Sequence, residues 1–132
     1  MTYLKNYFRK FGSNSRSPLL INVRQALWAF VGGTIAILAL EALADRMDVM
    51  LLMAPFGASC VLAFALPEAP LSQPRNIIGG HVITTFCGLI ISHLLGYTIW
   101  SLALGVGLGI AAMMLTKTTH PPAGANPIIV IT

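Results

Sequence analysis

The sequence predicts an all-α polytopic membrane protein with four transmembrane helices and a broken, re-entrant or incomplete fifth segment. Of its 132 residues, 56% are hydrophobic and only 9% are charged, whereas soluble domains usually carry roughly a quarter charged residues. The forty residues from Ile77 to Thr116 contain no Asp, Glu, Lys or Arg. Because about 20 helical residues cross a bilayer core of about 30 Å, that run predicts two helices joined as a hairpin.

The predicted elements follow one another with short polar connections. Residues 1–23 are expected to form a basic cytoplasmic tail, and residues 24–132 the transmembrane domain. The spans are predicted at about 24–44, 49–66, 77–95 and 98–116, with a partial segment at 121–132.

The first span imitates a secretory signal sequence, since a basic region and an apolar run precede Ala42-Leu43-Ala44. Glu41 interrupts the approach to this site, and everything beyond it is again membrane-like. An uncleaved span is therefore the preferred interpretation.

The distribution of charge predicts the orientation. Seven of the eight basic residues lie in the tail, at Arg24 where the first span begins, in the proline-rich loop at 67–76 or just after the fourth span, while three of the four acidic residues lie in or beside the turn at 45–48. The positive-inside rule then places the N-terminus in the cytoplasm and that turn outside. Because the net charge of +4 comes mainly from the tail, it indicates anionic lipid rather than nucleic acid as a partner.

Two segments share a motif that breaks membrane helices. Pro55-Phe56-Gly57-Ala58-Ser59 and Pro122-Ala123-Gly124-Ala125-Asn126 both follow the pattern Pro-x-Gly-Ala-Ser/Asn. Breaks of this kind persist in a membrane only where protein, water or a ligand satisfies the freed backbone groups. The predicted topology brings the two segments in from opposite sides, as in an inverted repeat, with their helix N-termini aimed at one small anion. Alternatively, both are packing kinks and their similarity is chance.

Three histidines lie in or beside predicted membrane segments. Such a residue is costly in lipid and titrates near neutral pH, so it is a functional candidate. We expect His81 and His120 to approach each other and act as proton-linked groups, although hydrogen bonds to backbone would explain both equally well. His93 is expected at the outer interface. No metal-ligand motif or nucleophile–base arrangement can be identified, so the sequence predicts neither a metal, a cofactor nor an enzyme.

The fourth predicted span is rich in small residues at four-residue spacing. Gly105-xxx-Gly109 is flanked by Ala103-xxx-Gly107 and Gly107-xxx-Ala111. This spacing favours close helix–helix contacts in lipid, although glycine is in any case frequent in membrane helices. Because four or five spans form only a thin wall around any pathway, we expect a homo-oligomer.

Three blocks of this sequence resemble the HPP family of integral membrane proteins. They lie at residues 54–59, 73–81 and 120–126, and the last begins with His120-Pro121-Pro122. The resemblance runs from about residue 24 to the end and implies a multi-span fold in which these blocks are the shared core. Cyanobacterial and plastid members of the family are linked to nitrite transport. Many members continue with a further hydrophobic segment beyond the position of Thr132. Transport by the family as a whole is what the resemblance implies, and transport by this chain alone is an expectation.

Together these features predict a transporter or channel for a small, nitrite-like inorganic anion in the cell (inner) membrane. The two breaks would bind the anion, Arg75 would attract it at the inner mouth, and His81 or His120 would carry a proton. The alternative is a non-transporting membrane module that binds a ligand and signals through oligomerisation. The predicted substrate-binding residues are Pro55, Phe56, Gly57, Ala58, Ser59, Arg75, Asn76, His81, His120, Pro121, Pro122, Gly124, Ala125 and Asn126.

Overall fold

The computed structural model describes residues 7–8, 22–49 and 51–132, and within these ranges the chain is helical and has no strands. This confirms the predicted all-helical class for the described part of the chain. Most of the basic tail lies outside the described residues. Within residues 22–49 and 51–132 the α-helices are α1 (Val23–Met47), α2 (Ala54–Cys60), α3 (Pro74–Leu95), α4 (Ile99–Leu115) and α5 (Asn126–Ile131).

Helix α1 is long, apolar and mostly exposed. The Asn22 side chain caps it by accepting a hydrogen bond from the Gln25 backbone N–H at 3.1 Å. Ala44 is its one buried residue. A close contact joins it to the next segment, because a Cβ at Gly32 would lie 2.7 Å from the Phe64 ring. The exposed apolar surface of α1 is what lipid or another protein surface would cover.

The second predicted span differs from its expected form. Residues 51–53 are not helical, and α2 begins at Ala54 and continues as a π-helical turn, Val61–Ala65. Pro55 lies in the first turn of α2, where its missing N–H removes no helical hydrogen bond. Proline therefore starts this helix instead of interrupting it. The helical stretch from Ala54 to Ala65 is only about 18 Å long at about 1.5 Å per residue.

Helices α3 and α4 form the predicted hairpin. The chain leaves α3 at Gly96, whose φ of 61° lies in the left-handed region that favours glycine,. Thr98 and Ser101 then form a capping box at the start of α4. Among the described helices, α1 and α3 are long and apolar enough to cross a membrane, while α4 and the stretch Ala54–Ala65 are shorter. Four membrane-crossing helices and the inverted repeat accordingly stay predictions.

The core is the junction of α3, α4 and α5. Small residues let Pro127, at the start of α5, sit between the other two helices: a Cβ at Gly88 would lie 2.7 Å from the Pro127 Cα, and one at Gly105 would lie 3.3 Å from its Cβ. Gly109 is buried against Pro127 and Thr84. The stripe through Gly105 and Gly109 is thus an intramolecular contact, and it brings the N-terminus of α5 against α3.

Candidate functional site

Four polar side chains form one hydrogen-bonded cluster in the apolar interior. Ser59 Oγ lies 3.2 Å from His81 Nε2 and 2.9 Å from His120 Nε2. His81 Nδ1 lies 2.9 Å from Asn126 Nδ2, and the two imidazole centroids are 5.3 Å apart. His120 is fully buried, and Asn126 and Ser59 are 8% and 9% exposed. We call these residues the Ser–His–His–Asn cluster.

Each member of the cluster comes from a different element. Ser59 lies in the last turn of α2 and His81 in the second turn of α3. His120 precedes the 3-10 turn Pro121–Ala125, and Asn126 begins α5. Both proline-initiated segments therefore direct their last motif residue, serine or asparagine, toward the same histidine of α3.

A glycine on α3 allows the His120 segment to approach the helix. A Cβ at Gly80 would lie 2.9 Å from the His120 Cβ and 3.0 Å from the Thr118 carbonyl oxygen. Both distances are shorter than an ordinary van der Waals contact. The Gly79-Gly80 pair before His81 therefore makes room for the second histidine beside the first.

The proton positions follow from groups that can only donate or only accept. The Leu71 carbonyl only accepts, so His120 Nδ1, 2.8 Å away, carries the proton of the neutral ring,. His120 Nε2 then accepts the hydroxyl proton of Ser59. The hydroxyl oxygen accepts in turn from His81 Nε2–H. His81 Nδ1 is left as an acceptor that faces the Asn126 side-chain amide.

The orientation of the Asn126 amide is also determined. Its Nδ2 lies 3.1 Å from the His81 carbonyl oxygen and 3.1 Å from Thr85 Oγ1. A flipped amide would place two carbonyl oxygens against each other, so the amino group faces this side. The same amino group lies 2.9 Å from His81 Nδ1, so its two protons are shared among three acceptors. The cluster thus has one hydrogen-bond direction, from Asn126 through the imidazoles to Leu71.

An open groove of about 520 Å³ lies beside the cluster. The Phe56 ring stacks on the His81 imidazole at its edge, with centroids 6.2 Å apart and planes 24° apart. Its lining is mostly aliphatic and aromatic: Met53, Pro55, Phe56, Ile77, Ile78, His81, Val82, Thr85, Phe86, Leu89 and Asn126. The groove therefore connects an apolar exposed surface to two members of the cluster.

The comparisons with known proteins agree with the motif. Residues 18–132 match the family model described as the HPP transmembrane region. The chain belongs to the HPP family. Two transmembrane proteins of Dictyostelium discoideum are 36% and 35% identical to it over 137 and 142 residues, in each case covering 98% of this chain. The chain spans 44% and 49% of these relatives. No solved structure matches it.

The HPP motif itself contributes to the cluster through one of its three residues. His120 hydrogen-bonds to Ser59, whereas Pro121 is exposed and Pro122 is buried in the 3-10 turn that follows. Prolines at the start of a helical turn fix the backbone φ. They hold the chain between His120 and Asn126 in one compact turn.

The other predicted site residues of the HPP domain lie around the cluster. Arg75 is exposed, and its guanidinium donates to the Thr116 carbonyl at 3.3 Å. Asn76 Nδ2 donates to the Thr119 carbonyl at 2.9 Å and ties α3 to the HPP motif. Neither lines the groove. The remaining predicted residues are small and carry no side-chain group that forms hydrogen bonds. They are Gly57, Ala58, Gly124 and Ala125.

Two groups that complete the site were not predicted. The Leu71 carbonyl, in the 3-10 turn Pro70–Ser72, accepts a hydrogen bond from His120, and a backbone carbonyl has no sequence signal. Thr85 binds the Asn126 amide and lines the groove. It lies four residues after His81, so helical spacing from the histidine would have indicated it.

The chemistry available to the HPP domain here is that of an acid–base centre. Among the described residues, no group of three His, Cys, Asp or Glu side chains is placed to hold a metal. The 2.9 Å contact of Ser59 with His120 has the spacing of a nucleophile–base pair,. The Ser59 hydroxyl is held between two imidazoles, however, and does not line the groove. The arrangement favours proton binding over attack on a substrate.

Proposed function

We propose that this HPP domain is an integral membrane transporter or channel for a small inorganic anion, with nitrite as the first candidate, and is not an enzyme. The observation that carries the proposal is the meeting of Ser59 and Asn126 with His81 and His120 in a single cluster beside the groove. Buried polar and titratable side chains are expensive in a membrane domain, and they commonly mark ion or proton pathways.

The cluster supports a role in which a proton accompanies the anion. In the neutral state His81 Nδ1 and His120 Nε2 each have one lone pair, and neither faces a carboxylate among the described residues. One added proton therefore makes the cluster positive. In a low-dielectric interior such a charge strongly attracts an anion that comes within a few ångströms.

The orientation belongs to the same proposal. With the N-terminus in the cytoplasm and the protein in the inner membrane, Arg75 lies at the cytoplasmic end of α3. Its exposed guanidinium then acts as a weak attractor for anions, and salt would screen it.

Nitrite uptake into proteoliposomes tests the site. Ser59→Ala breaks the link between the two histidines, and we expect its initial uptake rate to fall about fivefold or more, the size of one lost hydrogen bond. Ser72→Ala is the matched control, because Ser72 is equally buried and its hydroxyl has no hydrogen-bond partner. Equal uptake by Ser59→Ala and wild type, or an equal loss in both variants, would remove the site assignment.

A homo-oligomer is part of the proposal. Ala103, Gly107 and Ala111 form an exposed small-residue face on α4, and a Cβ at Gly107 would meet nothing within 4 Å. This face is exposed, whereas the stripe through Gly105 and Gly109 is buried. The exposed face is therefore free to pack against a second copy.

The same face favours the second candidate function, a non-transporting module that binds a ligand and signals by changing its oligomeric state. Flux and assembly separate the two. Nitrite that alters chemical cross-linking between copies without crossing the membrane would favour the module, whereas nitrite uptake by the purified protein favours the transporter.

A further inference from the structure

The groove ends at a buried acceptor that receives a hydrogen bond in only one of the two neutral His81 tautomers. Asn126 is 92% buried, since 8% of it is exposed, and among the described residues its Oδ1 has one hydrogen-bonding neighbour, His81 Nδ1 at 3.2 Å. In the tautomer that lets His81 Nε2–H donate to Ser59, that nitrogen is unprotonated, so both atoms are acceptors. A buried amide oxygen without a donor is costly, and a bound group that donates a proton would satisfy it.

A donor stands beside this acceptor. Thr85 Oγ1 accepts from Asn126 Nδ2 at 3.1 Å, and none of the described contacts uses the Thr85 hydroxyl proton. Both residues line the large groove and also a second cavity of about 140 Å³. The polar end of the groove therefore presents one acceptor and one donor a short distance apart.

The remainder of the groove is an unfavourable environment for an ion. None of the described residues that line it is Arg, Lys, Asp or Glu. The lining residues Ile78, Val82 and Phe86 are apolar and lie on the exposed side of α3. While the cluster is neutral, an anion crossing this surface would lose its hydration and meet no countercharge, whereas a neutral molecule has no charge to desolvate.

We infer that the groove admits a small oxyacid in its neutral, protonated form, and not as the free anion. The O–H of the acid donates to Asn126 Oδ1, and its second oxygen accepts from Thr85 Oγ–H. A free anion offers two acceptors, and one of them would face the amide oxygen. The inference rests on the proposed transport function and specifies which species that site binds.

The proton then has a defined destination. Transfer to His81 Nδ1 breaks the O–H bond of the acid, leaves its electron pair on the oxygen and forms an N–H bond. The new Nδ1–H donates to Asn126 Oδ1 at the existing separation of 3.2 Å, and Nδ2 keeps its contacts with the His81 carbonyl and Thr85. One proton enters the cluster for each anion formed.

Electrical measurement on reconstituted protein tests the species that crosses. Proteoliposomes are given nitrite outside, an entrapped pH dye and a potassium diffusion potential set with valinomycin at zero or about 59 mV, and protein-free vesicles supply the leak rate. We expect the lumen to acidify by one proton per nitrite, at a rate that the potential does not change.

The outcomes separate the two levels of the proposal. A potential of about 59 mV changes the equilibrium ratio of a singly charged ion about tenfold. Nitrite uptake that follows the potential without acidification would show a free anion crossing, and it would overturn the inference while leaving transport intact. Uptake no faster than the protein-free leak would instead refute the transport function.

Substitution of Thr85 tests the binding geometry. Thr85→Val keeps the shape and removes the hydroxyl, so we expect the KM for nitrite to rise roughly two- to tenfold. Thr85→Ser keeps the hydroxyl and should restore a KM close to that of the wild type. A KM unchanged in Thr85→Val, or raised equally in both variants, would contradict the proposed pair of hydrogen bonds even if uptake is electroneutral.

Discussion

Replacing Gly88 with alanine tests whether the contact between α3 and α5 positions the site. A Cβ at residue 88 would lie 2.7 Å from the Pro127 Cα and would also meet the Val130 side chain. Ordinary van der Waals contact begins at 3.4 Å, so the two helices must separate by about 0.7 Å, the difference between 3.4 and 2.7 Å,. The Pro127 Cα is backbone, and it cannot move aside without moving its neighbour Asn126.

The same displacement sets the size of the effect. If it reaches Asn126 in full, the distance from Asn126 Nδ2 to His81 Nδ1 grows from 2.9 Å to about 3.6 Å, which is no longer a hydrogen bond. Overpacking costs about 1–3 kcal/mol, and the higher helix propensity of alanine returns about 1 kcal/mol. We expect a net loss of about 0–2 kcal/mol in unfolding free energy relative to wild type, together with slower nitrite uptake.

SDS titration of the purified protein in mixed micelles, followed by circular dichroism, measures the unfolding free energy. Gly33→Ala on α1 is the matched control, because a Cβ there meets nothing within 4 Å. We expect that variant to be unchanged or more stable by up to about 1 kcal/mol. The steric cost is the difference between the two variants, and if both shift alike, the steric argument is wrong.

Two further predictions concern the α3–α4 hairpin and the oligomer. Thr98 Oγ1 accepts a hydrogen bond from the Ser101 N–H at 3.0 Å. We therefore expect Thr98→Ala to lose about 1 kcal/mol of unfolding free energy in the same titration and Thr98→Ser to lose none. Equal values for the two variants would exclude a capping role. Gly107→Leu adds bulk to the exposed face of α4 and should abolish cross-linking between copies. The control Gly33→Leu should leave the cross-linking unchanged. Persistent cross-linking of Gly107→Leu would exclude this interface.

The sequence predicted the members of the cluster better than the path of the chain. Ser59, His81, His120 and Asn126 were all predicted site residues, because polar side chains within long apolar runs have few explanations in a membrane protein. The approach of His81 to His120 was also expected, and it is found. The alternative, in which the histidines form hydrogen bonds to the backbone, holds in part, since His120 Nδ1 donates to the Leu71 carbonyl.

The sequence could not predict where α2 begins or which face of α4 is buried. Residues 51–53 are as apolar as the helix that follows, and hydropathy does not distinguish extended from helical backbone in such a run. Similarly, the stripes through Gly105 and Gly107 have the same spacing. Only the structure shows that the first packs within the molecule, against Pro127 and Ile131.

The end of the hydrogen-bond chain limits what the cluster can do. A carbonyl oxygen accepts and cannot release a proton, so the path from Asn126 through Ser59 to His120 stops at Leu71,. A continuous proton wire needs a group at each end that can both take up and release a proton. The cluster can therefore bind a proton at one place and return it on the side from which it came. That property fits a site where a proton and an anion are separated and rejoined, and it argues against a passive proton channel.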